Sequence, residues 1–292
     1  MPLVRHLRIV LEMIKFEHTL FALPFALMGM MLAAGGMPAW RTVGWILVAM
    51  VGARSAAMGW NRLADREIDA VNPRTRTRAL PAGLVTPGFV AGFVVVALGL
   101  LLVAAWELNP LCLELSPVAI LVLLGYSYAK RVTWGSHALL GLALAGAPVG
   151  AWIAVRGSVA APPLVLAGAV LAWVAGFDVL YALQDEAFDR ERGLHSVPAR
   201  FGTVAALWIS AGLHLVTLAL LVALARVYAP GLGRLYAVGV AGCAALLVYQ
   251  HAIVRPGRLA RLDAAFFTAN GALALWLFAA TALDLLGRSG RG

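Results

Sequence analysis

The sequence predicts an all-α polytopic membrane protein, and three observations predict it. Of 292 residues, 62% are hydrophobic and 13% charged, with a mean hydropathy of +0.87; that is more apolar surface than a water-soluble fold of this length can hide. Nine apolar runs succeed one another, each about long enough to cross a hydrocarbon core of roughly 30 Å as a helix. Lys and Arg collect in alternate loops between those runs. The formal charge of +9 therefore belongs to a membrane surface, and neither a nucleic acid nor an obligate protein partner is inferred.

Residues 5–15 form an amphipathic stretch suited to lying on the membrane surface. No small-residue cleavage site follows a short apolar core there, so no signal peptide is expected. The apolar spans run at about 16–36, 42–64, 88–106, 110–128, 137–155, 163–184, 204–226, 232–254 and 264–286. Pro24, Pro117 and Pro148 fall inside them, which a helix bundle tolerates and which can mark kinks. Glu17 and His18 enter the first span, either as a hydrogen-bonded pair or as part of a site. Arg54 lies inside the second, and Asn270 in the last reads as a helix–helix hydrogen bond. Cys112 and Cys243 sit in apolar runs without zinc spacing and read as packing residues.

The N-terminus and the loops after spans two, four, six and eight hold 16 Lys and Arg; the opposite side holds six. By the positive-inside rule the first set is cytoplasmic. The chain is a single domain over 1–292, with pseudo-repeats at about 16–128 and 137–254 and an extra helix at 264–286. The repeat shows in the way spans two and six end, each in Asp-x3-Asp followed by a loop that returns on the same side.

Those two ends carry the chemistry. Asn61, Asp65 and Asp69 recur every fourth residue, so on a helix they share one face, about 6 Å apart at Cβ. Asp185 and Asp189 repeat the spacing, with Tyr181 and Asp178 before them on the same apolar span. Facing rows of carboxylates can hold Mg²⁺, which binds through one or two carboxylates plus substrate phosphates. Arg62, Arg66, Arg74, Arg78, Lys130 and Arg131 lie nearby and could neutralise a departing diphosphate. Tyr126 and Tyr128 bring aromatic faces, which stabilise a carbocation through the ring quadrupole. Together these parts point to ionisation of an allylic diphosphate at a membrane surface. The run Arg74, Arg76, Arg78 is equally a lid over that diphosphate or a lipid-headgroup site. His195 is a further loop residue that could reach substrate.

These residues carry a resemblance. The segment NRLADREID (61–69) resembles the NxxxDxxxD motif of the UbiA superfamily of intramembrane aromatic prenyltransferases, and DVLYALQDEAFD (178–189) resembles its YAxxDxxxD motif. The segments YSYAKR, FEHTLFALPFAL, GLHSVPARFG and AFFTANGAL are also similar to this family, nearest the bacterial 4-hydroxybenzoate polyprenyltransferase branch. The resemblance implies a nine-transmembrane-helix bundle with a cytoplasmic cap over its active site, in the plasma membrane of a bacterial cell. It implies metal ligation by Asn61, Asp65, Asp69, Asp185 and Asp189. Arg62, Lys130 and Arg131 would grip diphosphate or an acceptor carboxylate, and Arg66, Arg78, Tyr126, Tyr128 and Tyr181 would contact substrate, with Asp178 either orienting Tyr181 or joining the substrate site from deeper in the cavity. The implied reaction is Mg²⁺-dependent transfer from a polyprenyl diphosphate to a small aromatic acid, with a menaquinone-pathway acceptor as the alternative to 4-hydroxybenzoate. A carrier is the competing class; it calls for acids near the membrane midplane on discontinuous helices, whereas both rows here are terminal.

Overall fold

The computed structural model describes residues 9–10, 12–13, 19–229, 231–254 and 265–289, and no strand occurs among them. Among the described residues the α-helices with both ends defined are, in order, Thr19–Ala34 (α1), Trp40–Ala64 (α2), Arg66–Val71 (α3), Pro87–Leu108 (α4), Pro110–Gly125 (α5), Ser136–Arg156 (α6), Ala161–Ala182 (α7), Glu186–Glu191 (α8), Val197–Val227 (α9), Arg234–Ile253 (α10) and Asn270–Ser289 (α11). Eight spans among the described residues are long and apolar enough to cross a membrane, and α1 adds a shorter apolar helix. Glu17, His18 and most of 5–15 lie outside the described residues, as do Arg255, Arg258 and Arg261.

Local chemistry sets the helix ends. Thr86, Asn109 and Ser196 cap α4, α5 and α9, each accepting a backbone N–H three residues on, with Pro at the first or second helical position. Pro117 leaves the Leu113 carbonyl without its helical donor, and Ser116 Oγ donates to that carbonyl at 2.7 Å. Asn109 Nδ2 donates to Ile153 O at 2.8 Å, fastening α5 to the end of α6.

The helices pair as α2 with α4, α7 with α9, α1 and α7 with α6, and α10 with α11. Apolar helices gain little by leaving lipid for each other, so close backbone approach and hydrogen bonds hold them. A Cβ on Gly141 would stand 2.5 Å from Leu171 O, so only glycine lets α6 meet α7 this closely. The core centres on Trp173, whose ring meets Phe25 at 5.1 Å and Phe177 at 4.9 Å. Trp173 Nε1 donates to Asn270 Oδ1 at 3.1 Å, the interhelical bond expected of that residue.

One local expectation is corrected. The acidic rows do not ride on unbroken helices: α2 stops at Asp65 (φ −94°, ψ 6°) before α3 begins. A 3₁₀ turn, Leu183–Asp185, separates α7 from α8, with Asp185 at φ −103°, ψ 5°. Backbone bonds from Asp65 N to Asn61 O (2.9 Å) and from Asp69 N to Asp65 O (2.7 Å) bridge the first break, so the four-residue spacing survives it. The expected span 204–226 also starts early: α9 begins at Val197 and passes through Gly202 at φ 80°, ψ 166°, a backbone state open mainly to glycine.

Candidate active site

One cavity of about 1040 Å³ takes in nearly every residue of the expected site. Its polar end is lined by Asn61, Arg62, Asp65, Asp69, Tyr126, Lys130, Arg131, Tyr181, Asp185 and Asp189, with Arg78 at the rim and Asp178 deeper. Its other end is apolar, reaching Leu108, Leu115, Val118, Leu142 and Leu164. Leu115, Val118, Leu142 and Leu164 are themselves exposed on the outside of the bundle, so this end meets the lipid-facing surface. Phe21, Phe177 and Phe267 form an aromatic wall below Asp178, with Phe21 at 5.8 Å from Phe177 and 6.2 Å from Phe267 between ring centres.

Each acid of the two rows faces a cation. Arg74 forks onto Asp185, with Nε 3.0 Å from Oδ1 and Nη2 2.5 Å from Oδ2; such bidentate pairs are the strong form of the contact. Arg78 Nη1 donates to both oxygens of Asp69 at 2.7 and 2.8 Å. Arg131 Nη2 reaches Asp65 Oδ1 at 3.3 Å and also donates to Ala64 O. Lys130 Nζ stands 3.9 Å from Asp189 Oδ2, a buried oxygen without a hydrogen-bond donor. Asn61 Nδ2 donates to Asp65 Oδ2 at 2.9 Å, and Arg62, buried, donates through Nε to Met13 O at 3.2 Å.

The loop after α3 joins the two rows. Asn72 Oδ1 accepts from Arg74 N at 2.9 Å, a local turn that aims the arginine, while Asn72 Nδ2 donates to Asp185 Oδ1 at 3.3 Å. Thr75 Oγ1 holds the Asp69 carbonyl at 3.1 Å. Burial, then repulsion from Asp69, raises the Asp65 pKa above the usual aspartate range against the pull of Arg131. Burial works against the Arg74 charge, yet its hydrogen bonds and attraction to Asp185 leave its pKa raised.

Two expected site residues lie apart from the cavity. Arg66 is exposed and pairs with Glu67 at 3.3 Å. Tyr128 is exposed beneath the Arg131 guanidinium (5.2 Å to the ring centre) and edge-on to Trp60. Both line a smaller adjoining pocket instead. His195 is exposed too; its backbone N–H donates to Lys130 O at 2.7 Å and its carbonyl accepts from Ser136 Oγ at 3.4 Å. Asn72, Thr75 and Phe177 line the cavity without having carried a local signal, and Phe267 comes from the segment AFFTANGAL. Arg54 also lines the cavity, from mid-membrane.

Among the described residues no three His, Cys, Asp or Glu side chains converge on one metal position. The donor set nevertheless suits a hard divalent cation: it is all oxygen, arranged in two rows, and one buried carboxylate oxygen lacks a hydrogen-bond donor. Mg²⁺ needs no complete protein cage, because substrate phosphates and water fill its octahedron.

The fold and the site have relatives. The UbiA prenyltransferase family matches residues 22–280. A 4-hydroxybenzoate octaprenyltransferase of Nitrosospira multiformis is 34% identical over 267 residues, 90% of this chain and 89% of that one. The apo structure of a UbiA homolog from Aeropyrum pernix superposes with a TM-score of 0.83 at 32% identity, over 92% of this chain and 98% of that one. A UbiA homolog from Archaeoglobus fulgidus, solved bound to DMAPP and Mg²⁺, shares the fold (TM-score 0.65, 18% identity, 94% and 99% covered). The match over most of its length places the chain in the UbiA prenyltransferase family.

Proposed function

We propose that this membrane enzyme transfers a polyprenyl group from an allylic diphosphate to a small aromatic acid, 4-hydroxybenzoate, in quinone biosynthesis. The observation that carries the proposal is the single cavity whose polar end holds both acidic rows and whose apolar end reaches the lipid-facing surface. A diphosphate head bonded directly to a hydrocarbon tail needs those two environments to adjoin within one cavity. The named activity of the Nitrosospira relative and the DMAPP and Mg²⁺ of the Archaeoglobus homolog support the same reading.

Asn61, Asp65, Asp69, Asp185 and Asp189 would hold Mg²⁺, which when bound supplies charge that stabilises the leaving diphosphate. Arg74 and Arg78, which pair with Asp185 and Asp69, carry guanidinium donors suited to phosphate oxygens as well. Lys130, Arg131 and Arg62 supply the remaining positive charge for diphosphate and for the acceptor carboxylate. As the C–O bond breaks, Phe21, Phe177 and Tyr181 offer aromatic faces to the allylic cation, and the electron-rich ring carbon beside the acceptor hydroxyl takes it up.

The arginine asymmetry supports a cytoplasmic N-terminus and polar cavity end. Two like halves are supported by the matched pairings of α2 with α4 and α7 with α9, and by the equal backbone turns at Asp65 and Asp185. Purified protein given Mg²⁺, a prenyl diphosphate and 4-hydroxybenzoate should form the prenylated acid and release diphosphate. A product that is the free prenyl alcohol alone, with every aromatic acid untouched, would count against the acceptor.

A further inference from the structure

Five carboxylates line the cavity, and four of them face an arginine or a lysine; Asp178 faces a histidine. His137, buried on α6, sets its Nδ1 2.6 Å from Asp178 Oδ2. Its Nε2 receives the backbone N–H of Val197 at 3.2 Å. A backbone N–H can only donate, so Nε2 must be the unprotonated nitrogen and Nδ1 the one bearing hydrogen. The ring therefore donates to Asp178, in one tautomer and one orientation, fixed from the first turn of α9. One ring nitrogen thus sets the role of the other: the Val197 N–H fixes the ring, and the ring holds one oxygen of Asp178.

The position of Asp178 gives that arrangement a use. It precedes Asp185 by seven residues, about 10 Å along the helix axis toward the membrane interior. That sets Asp178 below the two acidic rows, on the side of the cavity where the hydrocarbon end of the substrate begins. Phe21 and Phe177 line the same cavity. An acceptor carrying both a carboxylate and a hydroxyl would turn its carboxylate to Lys130, Arg131 or Arg62, because Asp178 repels it. The hydroxyl then points to Asp178, where the oxygen not engaged by His137 can accept it.

We propose that Asp178 is the catalytic residue that accepts the proton of the acceptor hydroxyl, and that His137 is the positioning residue that holds it for this task. The inference rests on the prenyl-transfer reading above. As the ring carbon beside the hydroxyl gives its electron pair to C1 of the allylic group, the C1–O pair leaves with diphosphate and the hydroxyl proton passes to Asp178. The resulting dienone regains aromaticity when its ring hydrogen leaves as a proton to diphosphate and Asp178 returns its proton to the oxygen.

The test compares wild type, Asp178→Asn, His137→Ala and His137→Gln on 4-hydroxybenzoate and on 3-fluoro-4-hydroxybenzoate, whose hydroxyl is more acidic. Asp178→Asn should lower kcat on 4-hydroxybenzoate by about 100-fold or more, the usual scale for general acid–base catalysis, with KM for prenyl diphosphate unchanged. Its deficit should shrink on the fluorinated acid, which ionises with less help. His137→Ala should share the deficit, and His137→Gln should restore activity, since one amide can donate to Asp178 and accept from Val197. Should His137→Ala fail to fold, Asp178→Asn and His137→Gln still decide the matter. Wild-type kcat in Asp178→Asn, an equal deficit on both acids, or a change confined to KM for prenyl diphosphate would each overturn the assignment. A wild-type protein that prenylates neither acid would instead overturn the functional reading, and this inference with it.

Discussion

Asp65 and Asp185 occupy the same backbone corner in their respective helices, and each presents its carboxylate to a cation from elsewhere in the chain. Substituting either with Asn keeps the shape and removes the ionic metal–diphosphate contact. Transfer activity should fall by orders of magnitude, while circular dichroism and detergent-solubilised size stay those of wild type. Normal turnover in either variant would remove the metal assignment. Asp65 also predicts a pH effect. A ligand carboxylate must be ionised, so protons compete with the cation. Because burial and Asp69 raise its pKa, the competition begins at a pH above the ordinary aspartate value of about 3.9. The Mg²⁺ concentration needed for half-maximal activity should therefore climb as pH is lowered toward that range; a requirement flat with pH would contradict it. At this scale the sequence revealed residue types and spacing but not partners. Arg74 and Asp185 are 111 residues apart, and no local pattern links them. The same holds for His137 and Asp178.

At the scale of elements, the apolar runs were legible because lipid demands continuous hydrogen-bonded helix over a fixed length. The breaks at Asp65 and Asp185 were not. Backbone bonds carry the four-residue spacing through the first of them, so the periodicity gives no sign of it. Glycine contacts were equally hidden, since composition does not say which glycine meets a neighbour. Gly141 is one that does. Gly141→Ala would force α6 and α7 apart, because the added Cβ meets backbone and not a movable side chain. A loss of about 1–3 kcal/mol is expected for such overpacking, read as a lower unfolding midpoint in detergent. The neighbouring Gly146, whose Cβ would meet nothing within 4 Å, should accept Ala without that loss.

At the scale of the whole molecule, the bundle gathers its polar side chains at one end of a cavity whose apolar end meets the lipid-facing surface. The proposed orientation rests on the loop arginines. Single cysteines placed at 72–80 or 190–200, in a background lacking Cys112 and Cys243, should label only from the cytoplasmic side. Labelling of the two loops from opposite sides would contradict the parallel halves. The most direct test is an assay of purified protein with a prenyl diphosphate and 4-hydroxybenzoate, with and without Mg²⁺. The account predicts prenylated 4-hydroxybenzoate and stoichiometric diphosphate, both abolished by chelation and restored by added Mg²⁺. Undiminished transfer after complete chelation would contradict it, because the two acidic rows would then have no metal to hold.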